Sequence, residues 1–150
     1  MTSDGEVQPV VVVGVDGSPE SVAALTWAGR YAAATGATVR AVYAWHVPAM
    51  AGMPAAGKAP EPVTAEIEER IRADVTEAIA KAFPDPSTAK IETKIAHGHP
   101  AEVLIDESEH ASLLVVGHRG HGAFTGMLVG SVSIHCVTHA ACPVVVVRGS

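Results

Sequence analysis

The residues best placed to do chemistry lie in the stretch LLVVGHRGHGAFTGMLVGS, from Leu113 to Ser131. An apolar run, Leu113-Leu114-Val115-Val116, breaks at Gly117. Gly120, Gly122, Gly126 and Gly130 follow, the last leading into Ser131. A buried strand that empties into a glycine-rich loop and re-forms as a helix suits anion binding. Glycine lets the backbone approach a ligand closely, and unpaired N–H groups at a helix start can receive a phosphate. A long surface turn with glycines needed only for shape has the same spacing, so this stretch alone leaves both readings open. A second marked turn, Asp16-Gly17-Ser18, follows the valine run Val10–Val15 and offers a carboxylate at a strand end.

The elements that must position these turns are legible along the chain. Residues 1–8 read as a short disordered lead and 9–150 as one domain. Val10–Val15, interrupted by Gly14, lacks alternation, as expected of a strand covered on both faces. Ser18-Pro19-Glu20 is a helix start, with a serine cap, proline in the first turn and an early acid. This helix should run to Thr35, stop at Gly36 and turn inward Val22, Leu25, Gly29 and Ala32/Ala33. Thr38–Trp45 is the second strand. The long connection His46–Pro62 suits either mobility or a lid, and only Lys58 in it has evident chemistry.

A second helix, about Thr64–Phe83, should bury Ile67, Ile71, Val75, Ala78 and Ile79. Its wet face should carry the i,i+4 pairs Glu66–Arg70, Glu68–Arg72 and Glu77–Lys81. Lys90–Ala96 alternates like a half-exposed edge strand. Gly98-His99-Pro100 opens a third helix with Val103, Leu104 and Ala111 toward the core, and Glu102, Asp106, Glu107 and Glu109 in solvent. A last helix of about Gly130–Ala140 precedes the strand Pro143–Val147.

Helix-length connections between successive strands imply right-handed crossovers and an open parallel α/β sheet with helices on both faces. Ligands in such sheets sit outside the carboxyl ends of the strands, where the strand order reverses. If the first and fourth strands are neighbours, Asp16 and the Gly117 turn border one crevice.

Composition narrows the function classes. A net charge of −6 with no cluster of Lys or Arg argues against a nucleic-acid groove. No apolar run reaches the ~18 residues of a membrane helix, and the polar start MTSDGEVQP is unlike a signal peptide, so a cytoplasmic location is expected. Cys136 and Cys142 match neither zinc nor thioredoxin spacing and read as buried thiols. Aromatics are only 4% of the chain, so its apolar content is mostly Ala and Val, which suits close-packed α/β layers.

The glycine loop lacks the equipment of two familiar nucleotide sites. Gly117 and Gly122 have the separation of a Walker loop, but Ala123-Phe124 stand where Lys-Ser/Thr is required. A dinucleotide fingerprint fails because Thr125 occupies the place of its third glycine, and because the loop does not follow the first strand. The spacing Gly117-x2-Gly120-x9-Gly130-Ser131 resembles the nucleotide-binding signature of the universal stress protein family, G-x2-G-x9-G-(S/T). The resemblance spans the chain, from VVGVDGS (Val12–Ser18) through LLVVG to CPVVVV (Cys142–Val147).

That resemblance implies a five-stranded parallel sheet and ATP at its carboxyl edge. Asp16 would contact the ribose or adenosine side of the nucleotide, with Gly14 and Val15 on the same wall. Ala44 would give backbone contacts to the adenine. Val116 and Gly117 would approach the ribose, while Gly120, Gly130, Ser131 and Val132 would hold the phosphates. Arg119 could pair with a phosphate. Mg²⁺ or Mn²⁺ would be held mainly by the phosphates themselves. In this family the last strand pairs with its copy, which implies a homodimer through Val144–Val147, an apolar and exposed edge. Ser112 departs from the family's usual aspartate, at a strand start away from the site.

Other chemistry has little support in the residues. His135 and His139 stand i,i+4 on the last helix, yet no acidic or cysteine ligand stands beside them, so no metal centre is expected. His97 and His99 flank the third strand's end and suit a surface role. No Ser-His-Asp or Cys-His set is recognisable, so hydrolysis should be slow at most. The reading that follows is an ATP-binding stress sensor or regulator. Its alternatives are a nucleotide-independent interaction module and a binder of another adenine nucleotide such as cyclic AMP.

Overall fold

The computed structural model describes residues 9–46, 61–119 and 130–148. Nine elements alternate along them: β1 (Val10–Gly14), α1 (Pro19–Thr35), β2 (Thr38–Trp45), α2 (Glu61–Ala82), β3 (Lys90–His97), α3 (Pro100–Ser108), β4 (Leu113–Gly117), α4 (Ser131–His139) and β5 (Val144–Val147). The five strands form one parallel sheet in the order β3-β2-β1-β4-β5. β1 and β4 are therefore neighbours, in the register Val11 to Leu113 and Val13 to Val115. The chain winds outward from β1 through β2 to β3, then returns to lay β4 and β5 on the other side. The reversal falls between β1 and β4.

Each face of the sheet has its own core. Val11, Val13, Val39, Ala41 and Val115 pack under α1 and α2 with Leu25, Val75 and Phe83. Val12, Val42, Leu114 and Val116 pack on the opposite face with Leu104 of α3 and Cys136 of α4. Val11, Val12 and Val13, which face alternate sides of the sheet, are all fully buried, which is why the valines of β1 run without a polar interval. A fully buried Val or Leu contributes about 1.5–3 kcal/mol, so the central strands carry much of the stability.

Local signals hold at α1. Ser18 caps it, its Oγ accepting from Ser21 N at 3.2 Å, and Gly36 ends it at φ 79°, where a side chain would be strained. The buried stripe is Ser21, Ala24, Leu25, Ala28, Gly29 and Ala32. Val22 is only half-buried and Ala33 is exposed, so the helix is rotated from the expected stripe. A Cβ on Gly29 would lie 1.9 Å from Phe83 Cε1, and this ring, from beyond the end of α2, helps fix that rotation.

Three other expectations are corrected. α2 begins at Glu61, three residues before Thr64, because Pro62 is tolerated in a first turn. Of its three expected charge pairs only Glu77–Lys81 forms, at 3.1 Å, while Glu68 accepts from the Trp45 indole at 3.1 Å. Glu107 is not a solvated acid: its side chain is only 12% exposed, and it receives both Arg40 and Lys94. That cluster, joined by Arg40 to Glu92 at 3.1 Å, lies along β2, the edge strand β3 and α3. Ser112 sits at the far end, its Oγ and N both donating to the Val10 carbonyl.

Candidate functional site

The turns after β1 and β4 lie together at the carboxyl edge because their strands pair. After β1, Val15 N donates to the Val42 carbonyl at 2.9 Å, which fixes the first turn to β2. Asp16 Oδ1 then accepts from Ser18 N at 2.9 Å and Ser18 Oγ at 2.5 Å. The carboxylate thus helps start α1 as well as standing at the strand end. Gly14 has a packing role on the opposite face, since a Cβ there would meet Leu104 Cδ1 at 2.8 Å.

The turn after β4 is held from three sides. His118 N donates to the Val147 carbonyl at 2.9 Å, tying it to β5. Ser133 Oγ donates to the Gly117 carbonyl at 2.5 Å, tying it to α4. Gly130 N donates to the His118 carbonyl at 2.6 Å, tying the turn to the start of α4. Gly117 itself packs on α1: a Cβ would fall 2.8 Å from Glu20 Cβ and 3.0 Å from the Glu20 backbone. Its lack of a side chain is required for that close approach, whatever else the position does.

Gly130 is the N-cap of α4, with φ −73° and ψ 163° and no side-chain cap on the helix start. Ser131 is exposed and Val132 half-buried against the second core. Ala44 and Val116 lie at the carboxyl ends of β2 and β4, and Ala44 pairs with Ala96 across to β3. Arg119 does not stand alone. Its Nε donates to His118 Nε2 at 3.1 Å, and its guanidinium lies 3.9 Å from Glu20. Gly120, with Gly122 and Gly126, lies outside the described residues, as does the connection 47–60 with Lys58.

A cavity of about 300 Å³ opens beside Asp16 between α1 and α2, lined also by Tyr43, Asp74, Glu77 and Lys81. Of the residues chosen from sequence, only Asp16 reaches it. Burial pushes the Tyr43 phenol above its ordinary range, and the negative charges of Asp16 and Asp74 push it further. Neither Tyr43 nor Asp74 carries a motif that a sequence reading can catch. Ser133 is the other residue missed; its proximity to Ser131 in the helix start was the only available signal.

Cys136 and His99 lie as expected, buried and exposed, whereas His97 and Cys142 depart from their expected places. His97 is packed edge-on against Trp45 at 4.8 Å between ring centroids, and its Nε2 is buried without a hydrogen-bond partner. His99, exposed, faces His46 at 5.5 Å. Cys136 is fully buried and its thiol is pushed up to about 11 by burial, whereas Cys142 is only half-buried. Among the described residues no group of three or more His, Cys, Asp or Glu is placed to hold a metal, and no helix is long and apolar enough to cross a membrane.

An open parallel sheet, reversed between β1 and β4 with its marked turns at that edge, defines a Rossmann-like α/β fold. Residues 9–148 match the model of the Universal stress protein family. The chain belongs to that family. It is 37% identical over 141 residues to a universal stress protein of Mycolicibacterium smegmatis, covering 92% of this chain and 45% of that protein. A universal stress protein of Mycobacterium tuberculosis is 33% identical over 143 residues, covering 95% and 46%. The chain thus spans about half the length of the curated relatives it matches.

Among solved structures, universal stress protein UspA from Lactobacillus plantarum superposes with a TM-score of 0.75 at 26% identity, covering 95% of this chain and all of that one. A universal stress protein in complex with cAMP superposes at 0.69 with 28% identity, covering 97% of this chain and all of that one.

Proposed function

We propose that this chain binds an adenine nucleotide, ATP foremost, at the edge where the strand order reverses, and that it works as a sensor or regulator of the cytoplasmic stress response. The observation that carries this reading is the pairing of β1 with β4, which brings Asp16 and the Gly117 turn to one edge. In this reading the first amides of α4, at Ser131 and Val132, take the phosphates with Gly120 and Gly130. Residues Gly14, Val15, Asp16, Ala44, Val116 and Gly117 form the nucleoside wall. The start of α4 suits an anion, because no side chain caps it and its dipole is positive there.

Arg119 is available in the same reading. Its contact with Glu20, at 3.9 Å and partly in solvent, contributes little and exchanges readily for a phosphate. Mg²⁺ or Mn²⁺ would travel with the phosphates. Ala123 stands where a Walker loop has its lysine, which favours holding the nucleotide over cleaving it. The β5 edge, four valines each half-buried, favours pairing with a second copy.

The experiment is to denature purified protein and identify any released nucleotide by mass spectrometry, alongside thermal shift with ATP, AMP and cyclic AMP. Released ATP, or a melting shift larger for ATP than for the others, supports the reading. No released nucleotide and no shift with any of them overturns it. A shift with cyclic AMP alone supports the second reading, which the cAMP complex of the similar protein favours.

A further inference from the structure

Outside the crevice, the most organised set of metal-seeking side chains is on α4. His135 and His139 stand i,i+4, both exposed, with ring centroids 5.8 Å apart and planes inclined by 39°. Neither imidazole has a hydrogen bond or ion pair with another described residue, so each presents a nitrogen to solvent. The helix backbone fixes the two side chains on one face, one turn apart.

The spacing fits a shared cation. A metal bound about 2.1 Å from an imidazole nitrogen, in the ring plane, lies ~3.2 Å from that ring's centroid. Two centroids 5.8 Å apart then subtend roughly 130° at the metal, and closing them by about half an ångström gives the tetrahedral angle. Small side-chain rotations achieve that on an exposed helix face. His139 is also in the last turn of α4, where the helix dipole favours positive charge.

We propose that His135 and His139 form a two-imidazole chelate for a divalent transition cation, with water completing the coordination. This is not the closed centre that the sequence argues against: among the described residues no third protein ligand is placed there, and the proposed site is open and exchangeable. Two imidazoles favour Cu²⁺ over Ni²⁺ and Zn²⁺, and they discriminate against Mg²⁺ and Ca²⁺, which take oxygen ligands. Bound metal ties together the last turns of a helix whose first turn carries Gly130 and Ser131, so α4 gains stability from its far end. The proposal does not depend on nucleotide binding.

The test is calorimetric titration of untagged protein with Cu²⁺ and Zn²⁺, Mg²⁺ serving as control, together with melting curves. The wild type should take up one Cu²⁺ per chain, more tightly than Zn²⁺, and melt higher with either. His135→Gln and His139→Gln should each weaken binding about 100-fold, because the second imidazole of a chelate acts as an intramolecular ligand. Both positions are exposed, so the variants should match the wild type in metal-free melting. His99→Gln, which breaks the other close histidine pair, should bind normally. No saturable uptake by the wild type, unchanged binding in either α4 variant, or loss of binding in His99→Gln would each overturn the assignment.

Discussion

Replacing Gly117 by alanine separates packing from ligand contact at the centre of the glycine stretch. The new Cβ would lie 2.8 Å from Glu20 Cβ and 3.0 Å from both the carbonyl carbon and oxygen of Glu20. Two of those atoms are helix backbone, so relief requires α1 or the end of β4 to move. The Ser133 and Val147 ties to Gly117 and His118 resist movement of the strand end. Overpacking of this kind costs about 1–3 kcal/mol. Alanine recovers ~0.4–1 kcal/mol through the less flexible unfolded chain, because the backbone at Gly117 is not in the left-handed region. At the midpoints of these ranges the net destabilisation is about 1.3 kcal/mol. In a chain of this size each kcal/mol lowers Tm by roughly 2–4 °C. Urea unfolding followed by circular dichroism, with no nucleotide present, measures the loss. Stability equal to wild type would refute the claim that α1 rests on this glycine, and would return the position to a ligand-only explanation.

Gly130→Ala should behave differently: its φ of −73° and ψ of 163° are open to alanine, so the circular dichroism spectrum should be unchanged while calorimetry shows ATP binding lost. A proline at Val146 removes an outward N–H, because the alternate residues Pro143 and Val147 are the ones bonded to β4, and it should leave monomer on a sizing column; an unchanged dimer would point to another interface. Cys136 gives a pH signature. Its folded thiol is held near 11 against an ordinary 9.0, so above pH 9 the unfolded state releases its proton first. Stability from this group is intact below pH 9 and lost as pH rises toward 11, a limb that Cys136→Ala should lack in Tm measured against pH.

What could be read from the residues was whatever acts over short range. The Ser18 cap, the Gly36 stop and both ends of β2 follow from neighbours in the chain, and each falls where expected. The charges of β3 likewise mark an edge strand. Apart from the earlier start of α2, the corrections come from contacts between distant residues. Glu68 gives up a helical neighbour for the Trp45 indole, and Glu107 leaves solvent for Arg40 and Lys94. Phe83 helps set the rotation of α1 through Gly29.

The candidate site divides in the same way. Asp16, Gly117 and Gly130 were marked by type and spacing, but the β1–β4 pairing that unites them is a property of the whole sheet. The close approach of Glu20 to Gly117 and the bond from Ser133 to its carbonyl leave no local signature. A glycine chosen for one neighbour looks the same in sequence as a glycine chosen for another.

The two borders of the sheet are unlike. β3 carries Lys90, Glu92 and Lys94, two of them engaged with Arg40 and Glu107, whereas β5 is four valines. Charged side chains blunt an edge, while bare valines leave it open to a further strand. A sheet adhesive on both borders could add copies without limit and grow into a ribbon. This one has a single adhesive border, so joining two copies across a two-fold axis consumes both and leaves only blunted strands outside. With the proposed pairing through β5, the asymmetry would act as a counting device and stop assembly through the sheet at two.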